Sequence, residues 1–263
     1  MKTKHPYQLK KIPNIRRFAV DAGHLSRRRH IIHALLEVDV TVPRQNIREY
    51  KIRQSDGLSF TAYLIHCLGA AIQSNPQVHA YRDWRNRLVI FDDININTMV
   101  ETTLEGHQVP MPYIFEAINR KSLLQIQQEI RSASTSPHST AAAPFMRRFL
   151  ALPGFLRRVF YWFVMRNPTA FRSYSSPVMV TSVGMFGKGG GWGVPAANFT
   201  LTVTVGGITE KPRVIEKEIK IREVLDLTIS LDHDIVDGAP MARFADYFRQ
   251  LLENGYGLDD LLG

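Results

Sequence analysis

Leu227–Gly255 reads LTISLDHDIVDGAPMARFADYFRQLLENG. Its first residues belong to an alternating run, Leu225–Leu231, with the period of a half-buried strand. Its last part, Ala239–Glu253, places Met241, Phe244, Ala245, Phe248, Leu251 and Leu252 on one stripe of a helix. Between them lies Asp232-His233-Asp234-Ile235-Val236-Asp237-Gly238. A histidine that leaves a strand into a turn is held by the sheet and still faces a cleft. Asp237 follows it by four residues, and Gly238 permits a tight backbone path. An imidazole beside a carboxylate suits general-base work, because histidine titrates near neutral pH. The alternative for so short a motif is a solvated loop. No further His/Asp/Glu cluster is tied to this turn with ligand spacing, so no bound metal is expected.

The remaining chain mixes strands and helices. Ala34–Val42 reads as a strand and Gln45–Ile52 as a short polar helix after Pro43. Phe60–Gln73 reads as a helix apolar nearly all round, hence buried. Leu88–Phe91, Ile94–Val100 and Gln108–Phe115 read as strands, the last with prolines that suit an edge. Ser122–Arg131 reads as an amphipathic helix with Ser122 at its N-cap. Ser132–Ala143 is a Ser/Ala-rich linker, and Pro177–Val183 and Phe199–Val205 are strands. Gly184–Gly193 reads as a mobile glycine-rich loop that lacks the phosphate-cradle pattern. Lys217–Ile221 and Leu225–Leu231 read as the two strands of a hairpin. This alternation predicts an α/β (α+β) fold with a large mixed β-sheet covered by helices.

Length and charge narrow the classes. The chain has 263 residues and 44% hydrophobic residues, enough for a real core. Its net charge is +9, distributed unevenly. Residues 1–33 hold nine Lys/Arg against Asp21 alone, and 133–176 hold six Arg and no acid, so the body between them carries −5. Such a distribution points to an anionic coenzyme, a partner subunit or a membrane surface, and away from nucleic acid. The single cysteine, Cys67, excludes a disulfide framework and fits the buried helix. The first residues lack the apolar region of a secretory signal, and no run of about 18 apolar residues suggests a membrane span. The expected location is cytoplasmic, with peripheral membrane contact through 144–172 as an alternative to packing of that segment.

The quoted segment resembles the C-terminal signature of the catalytic domain of dihydrolipoamide acyltransferases, the acyltransferases of 2-oxoacid dehydrogenase complexes. That signature is shared with the chloramphenicol acetyltransferase-like superfamily. Further similarity appears in order: Glu37–Thr41, Phe60–Ala71, Asp93–Thr102, Val109-Pro110, Asn119–Arg131 and Val180–Gly187. It covers roughly residues 24–131 and 178–255.

The resemblance implies a transferase that moves an acyl group between coenzyme A and a thiol, hydroxyl or amine acceptor. His233 would be the general base. A hydroxyl from the strand before the glycine turn, Thr181 or else Ser182, would stabilise the oxyanion, a contribution of about 3–4 kcal/mol for a well-placed donor. Asp237 would orient the site, paired with Arg17 or Arg16. Lys188 would touch a coenzyme A phosphate. Coenzyme A or acyl-CoA would be a substrate, and a lipoyl group would come only from another protein. The implied assembly is a homotrimer, or larger assemblies of trimers, with a small-molecule or carrier-borne acceptor in a channel between subunits.

Three departures from the family pattern stand out. No segment resembles a lipoyl or subunit-binding domain, so 1–263 reads as one catalytic domain with a basic N-terminal stretch. The residue after the histidine is Asp234 where the family usually has a basic one, which bears on the histidine pKa or on the substrate end of the channel. Residues 133–176 form a basic, apolar insert, PFMRRFLALPGFLRRVFYWFVMRNP at its centre. It suits packing on a neighbouring subunit, a larger substrate pocket, or an interfacial helix pair broken at Pro153-Gly154. The first two departures also admit a non-catalytic homologue that acts as an assembly or scaffold subunit. His24, His30 and His33, among Arg27–Arg29, suit channel or surface roles.

Overall fold

The computed structural model describes residues 16–27, 29–54, 57–104, 107–135, 149, 151–183 and 189–262. Helix α1 (Arg16–Ser26) leads into strand β1 (Ile31–Asp39), then α2 (Thr41–Arg53) and α3 (Phe60–Ser74). Strands β2 (Tyr81–Arg82) and β3 (Leu88–Val89) form a small separate ladder. Strands β4 (Ile96–Leu104) and β5 (His107–Phe115) precede α4 (Leu123–Thr135). The insert supplies α5 (Gly154–Val164) and α6 (Pro168–Tyr174). Strand β6 (Val178–Ser182), the long strands β7 (Leu201–Ile215) and β8 (Glu218–Asp232), α7 (Gly238–Glu253) and α8 (Asp259–Leu262) complete the described chain.

The main sheet has six strands in the order β1-β8-β7-β6-β4-β5. Strands β4, β6 and β7 run parallel, and the other neighbours are antiparallel. This is the expected mixed sheet. Proline-bearing β5 is at its edge, where a missing N–H costs no ladder bond. One face packs on α3 and α7 through Val180, Val203, Leu225, Leu227, Ile229 and Leu231 on the sheet side and Leu64, Leu68, Phe244 and Phe248 on the helices. Tyr63 on α3 donates its hydroxyl to the carbonyls of Leu251 and Leu252 at 3.0 and 2.7 Å, which satisfies carbonyls at the end of α7. Cys67 is fully buried beside them, and burial pushes its thiol up to about 12. At α4, Ser122 and Gln125 bond each other's backbone N–H in a reciprocal capping box.

Several boundaries differ from the expectations. Strand β1 starts three residues earlier and ends at Asp39, because Asp39 accepts from the Thr41 backbone and hydroxyl and so starts α2. Pro43 therefore lies in the first turn of that helix, where its lost donor is harmless. The expected strand at Leu88–Phe91 is two residues long and belongs to the small ladder. Helix α4 continues to Thr135, into the expected linker. The larger correction concerns the hairpin. Residues 218–232 are one strand, and its hairpin partner is β7. The turn is Glu216-Lys217, both at positive φ (53° and 68°), the backbone of a type I′ hairpin turn. Glycine or asparagine usually marks that turn, so Glu-Lys concealed it. Beyond the sheet the hairpin continues as an arm with Val214, Ile219 and Ile221 more than 70% exposed.

The insert forms a small second core together with the β2–β3 ladder. Tyr81 stacks on Phe171 at 4.4 Å beside Val164, and the Tyr81 hydroxyl donates to the Met165 carbonyl. Pro153 precedes α5 as its N-cap residue, so the expected break is the start of a helix. Asn167 caps α6 through the N–H groups of Thr169 and Ala170. Arg157 reaches out of α5 to Asp21 of α1, Nε to Oδ2 at 2.6 Å and Nη2 to Oδ1 at 3.2 Å, and both side chains are nearly buried. The only acid of the basic N-terminal stretch thus pairs with an arginine of the basic insert.

Arg157→Ala should lower the unfolding free energy by about 3 kcal/mol, because a buried carboxylate loses its partner. Urea denaturation followed by circular dichroism measures this; a change below about 1 kcal/mol is what an exposed pair would give.

Candidate functional site

Asp232 is the last residue of β8, and His233 stands one residue beyond it. The His233 backbone donates to the His30 carbonyl at 2.8 Å, one pair past the Ile31–Asp232 register of β1 and β8. The turn closes through Asp234 N–H to Asp232 Oδ1 at 3.2 Å, and through Ile235 and Val236 N–H to the Asp232 carbonyl. Val236 is buried and anchors the turn in the core. The His233 side chain is 47% exposed, free to meet a substrate.

Both neighbours of His233 are held from the segment before β1. Arg29 Nη1 donates to Asp232 Oδ2 at 2.6 Å, with the carboxylate 5% exposed. His30 Nδ1 is 2.9 Å from Asp234 Oδ1, and the Arg82 guanidinium lies 3.3 Å from Asp234 Oδ2. The hydrogen bond from His30 holds the Asp234 carboxyl below its usual range, with Arg82 adding to the effect. Asp234 thus spends its charge on His30 and Arg82.

Asp237 Oδ1 is 3.9 Å from His233 Nδ1, an ion-pair distance that is too long for a hydrogen bond. Asp237 precedes α7, whose N-terminus favours a carboxylate, and is 83% exposed. His233 is its one ion-pair partner among the described residues. The expected arginine pairing falls elsewhere: Arg17 lies on α1, half-buried, and the arginine that supports the histidine turn is Arg29, through Asp232. Gly238 has open space around its α-carbon and a φ outside the left-handed region, so no tight path depends on it.

Thr181 and Ser182 end β6. Thr181 pairs with Thr204, and Thr204 with Thr228. Paired residues share a face and successive residues alternate. Ser182 therefore shares the side of Val205 and Leu227, which pack on the core, whereas Thr181 shares the opposite side with Thr204 and Thr228. The hydroxyls of Thr202, Thr204 and Thr228 are buried there without partners, and His33 Nδ1 lies 2.8 Å from Ser230 Oγ. This hydroxyl row was hidden in the sequence among ordinary strand threonines.

The described part of the glycine-rich loop, Gly189–Gly193, is hydrogen-bonded to neighbouring strands. Gly191 N–H donates to buried Asp226 at 2.5 Å, and Trp192 Nε1 donates to the Leu36 carbonyl at 2.9 Å. A side chain at Gly206 or Gly207, in the bulge of β7, would collide with the carbonyls of Gly191 and Gly189. A side chain at Gly193 would meet Val183 and Thr204, so the loop covers the hydroxyl side beside Thr181. Lys188 lies outside the described residues.

The two groups of the expected chemistry do not meet within one chain. Thr181 is level with Thr228, five residues before His233 on β8, so about 17 Å separate them along the strands and about 10 Å across two strand spacings. A cleft of about 480 Å³ at the base of the arm is not an alternative centre. It sits by Asp39, eight residues along β1 from Ile31, and its charges answer one another: Glu37 with Lys211 and Arg213, Asp39 with Arg222.

The model of the family "2-oxoacid dehydrogenases acyltransferase (catalytic domain)" matches residues 8–144 and 175–258, leaving most of the insert unmatched. The dihydrolipoyllysine-residue acetyltransferase component of the pyruvate dehydrogenase complex of Staphylococcus aureus is 25% identical over 257 residues, covering 95% of this chain and 52% of that protein. Its Bacillus subtilis counterpart is 25% identical over 224 residues, 83% of this chain and 43% of that protein. The chain thus spans about half the length of the curated relatives it matches. Among solved structures, a probable dihydrolipoamide acetyltransferase of Listeria monocytogenes superposes with a TM-score of 0.69 at 18% identity, covering 95% of both chains. The dihydrolipoamide acetyltransferase of Azotobacter vinelandii gives 0.71 at 15% identity, with 100% and 98% coverage.

The Asp234 carboxyl should titrate below the ordinary aspartate value of about 3.9 and move up in His30→Ala. A depressed carboxylate stabilises the fold above that ordinary value, and the contribution is lost as pH falls through the folded one. Carbon-13 NMR of the carboxyl measures it; an ordinary value in the parent chain would contradict the His30 contact.

Proposed function

The chain belongs to the acyltransferase catalytic-domain family of the 2-oxoacid dehydrogenases, and from that premise we propose that it moves an acyl group between coenzyme A and a thiol, hydroxyl or amine acceptor. The observation that carries this reading is an exposed His233 whose flanking aspartates are clamped to Arg29, His30 and Arg82. His233 accepts the proton of the acceptor group. The freed lone pair attacks the thioester carbonyl carbon, and the carbonyl electrons move to oxygen. The Thr181 hydroxyl donates to that oxyanion. The tetrahedral intermediate then collapses, the carbon–sulfur bond breaks, and the imidazolium returns its proton to the departing coenzyme A thiolate.

Thr181 is favoured over Ser182 because it faces the hydroxyl side beside the glycine loop. Support for these roles comes from the Azotobacter enzyme, in which the roles of a serine, a histidine and an asparagine in the catalytic mechanism have been investigated. Their spacings equal those of Thr181, His233 and Asp237 here, with threonine for serine and aspartate for asparagine. Asp237 faces His233 as a carboxylate that stabilises the imidazolium.

The separation of Thr181 from His233 within one chain requires the histidine of one copy to work with the threonine of another. The functional unit is then a closed ring of copies, a trimer in this reading, with coenzyme A and the acceptor entering between subunits. The bare Val214, Ile219 and Ile221 of the arm fit such an assembly. A lipoyl group on a carrier protein is one acceptor of the required thiol chemistry.

His233→Ala should reduce release of free coenzyme A from an acyl-CoA panel by about 10²–10⁴-fold while keeping the fold. Thr181→Val should cost about 10²–10³-fold. Refolding the two inactive variants together should restore activity, since mixed assemblies contain intact His233–Thr181 pairs. Near-normal turnover by His233→Ala would refute the chemistry, and no turnover with any donor would favour the scaffold reading. Inactive mixtures would refute the shared site alone.

A further inference from the structure

The segment unmatched by the family model, residues 145–174, exposes an apolar surface that no described part of the chain covers. Helix α5 turns Arg157 and Val164 inward and half-buries Phe160 and Tyr161. Its opposite side presents Phe155, Leu156, Val159, Trp162 and Phe163, between 42% and 61% exposed. Their spacing places them on one continuous arc of the helix. A helix apolar on both sides is at home only when its second side also leaves water.

We propose that this arc docks the protein onto an anionic lipid surface. The charges around it decide the partner. Arg158 is exposed at one border of the arc, and exposed Arg166 stacks on Trp162 at 4.2 Å. No Asp or Glu occurs anywhere from 133 to 176. A second copy meeting the arc across a two-fold axis would set these arginines against themselves with no acid to answer them, an arrangement that costs affinity. An anionic bilayer offers an apolar boundary for the aromatic side chains and negative headgroups for the guanidinium groups. The sequence repeats the theme just upstream, Phe145-Met146-Arg147-Arg148-Phe149 against Phe155-Leu156-Arg157-Arg158-Val159. Among the described residues no helix is long and apolar enough to cross a membrane, so α5 lies in the interface plane. This inference stands apart from the chemistry at His233.

Flotation of the full chain with vesicles tests it, using phosphatidylcholine alone and phosphatidylcholine with phosphatidylglycerol. The chain should float with the phosphatidylglycerol vesicles and release as salt is raised, because surface charges are screened. Trp162→Ser with Phe163→Ser should reduce the bound fraction by about tenfold or more. Both side chains are half-exposed, and circular dichroism confirms that the variant folds. Arg158→Glu with Arg166→Glu should abolish the preference for phosphatidylglycerol. No flotation of the parent chain, or equal flotation of the serine variant, would overturn the proposal. So would a serine variant that changes sedimentation state in a protein that ignores vesicles, since the arc would then face another copy.

Discussion

The register between β6, β7 and β8 is the constraint from which the rest of the site follows. Hydrogen bonding fixes Thr181 level with Thr228, and β8 must run five more residues to reach His233. A one-residue slip would turn every side chain of β8 to the other face, moving Asp226, Thr228 and Ser230 into the apolar core and Leu227 and Ile229 among the buried hydroxyls. That penalty holds the register firmly. The histidine and the hydroxyl are therefore kept far apart by the same forces that fold the sheet, and in the proposed mechanism each copy supplies two half-sites. The local devices serve one half or the other: the Arg29 and His30 clamp at the histidine, the pinned glycine segment at the threonine.

What could be read from the sequence was local. The strand–turn–helix around His233 shows because its period changes within thirty residues and its motif is contiguous. The buried helix α3, the Ser122 cap and the proline-bearing edge strand have equally local causes. The hairpin was hidden because Glu216-Lys217 adopts a backbone usually marked by glycine or asparagine. The clamp was hidden because its partners lie about two hundred residues apart and meet only through the β1–β8 register. Which of Thr181 and Ser182 faces the hydroxyl side likewise shows only in the register of β6. Gly238 shows the opposite failure, a motif residue whose special backbone freedom this structure does not use.

The net charge also has a different meaning in three dimensions. Two insert arginines are spent on internal acids, Arg157 on Asp21 and Arg172 on Asp93. These pairs fasten the insert to α1 and to the loop before β4, at two separate points of the body. What the insert shows outward is its apolar arc and its remaining arginines. Fastening and display use the same residue type, and the presence of an acidic partner distinguishes them.

The arm formed by β7 and β8 has a consequence for how the protein behaves when dilute. Val214 and Ile219 are cross-strand partners on it, and Ile221 follows on the same face, all three bare. In the proposed assembly, copies that cover them add free energy by mass action, so the melting temperature would rise with concentration. A preparation diluted below the dissociation constant of that assembly would carry a wet hydrophobic edge, and its shelf life would become a question of how often two such edges collide.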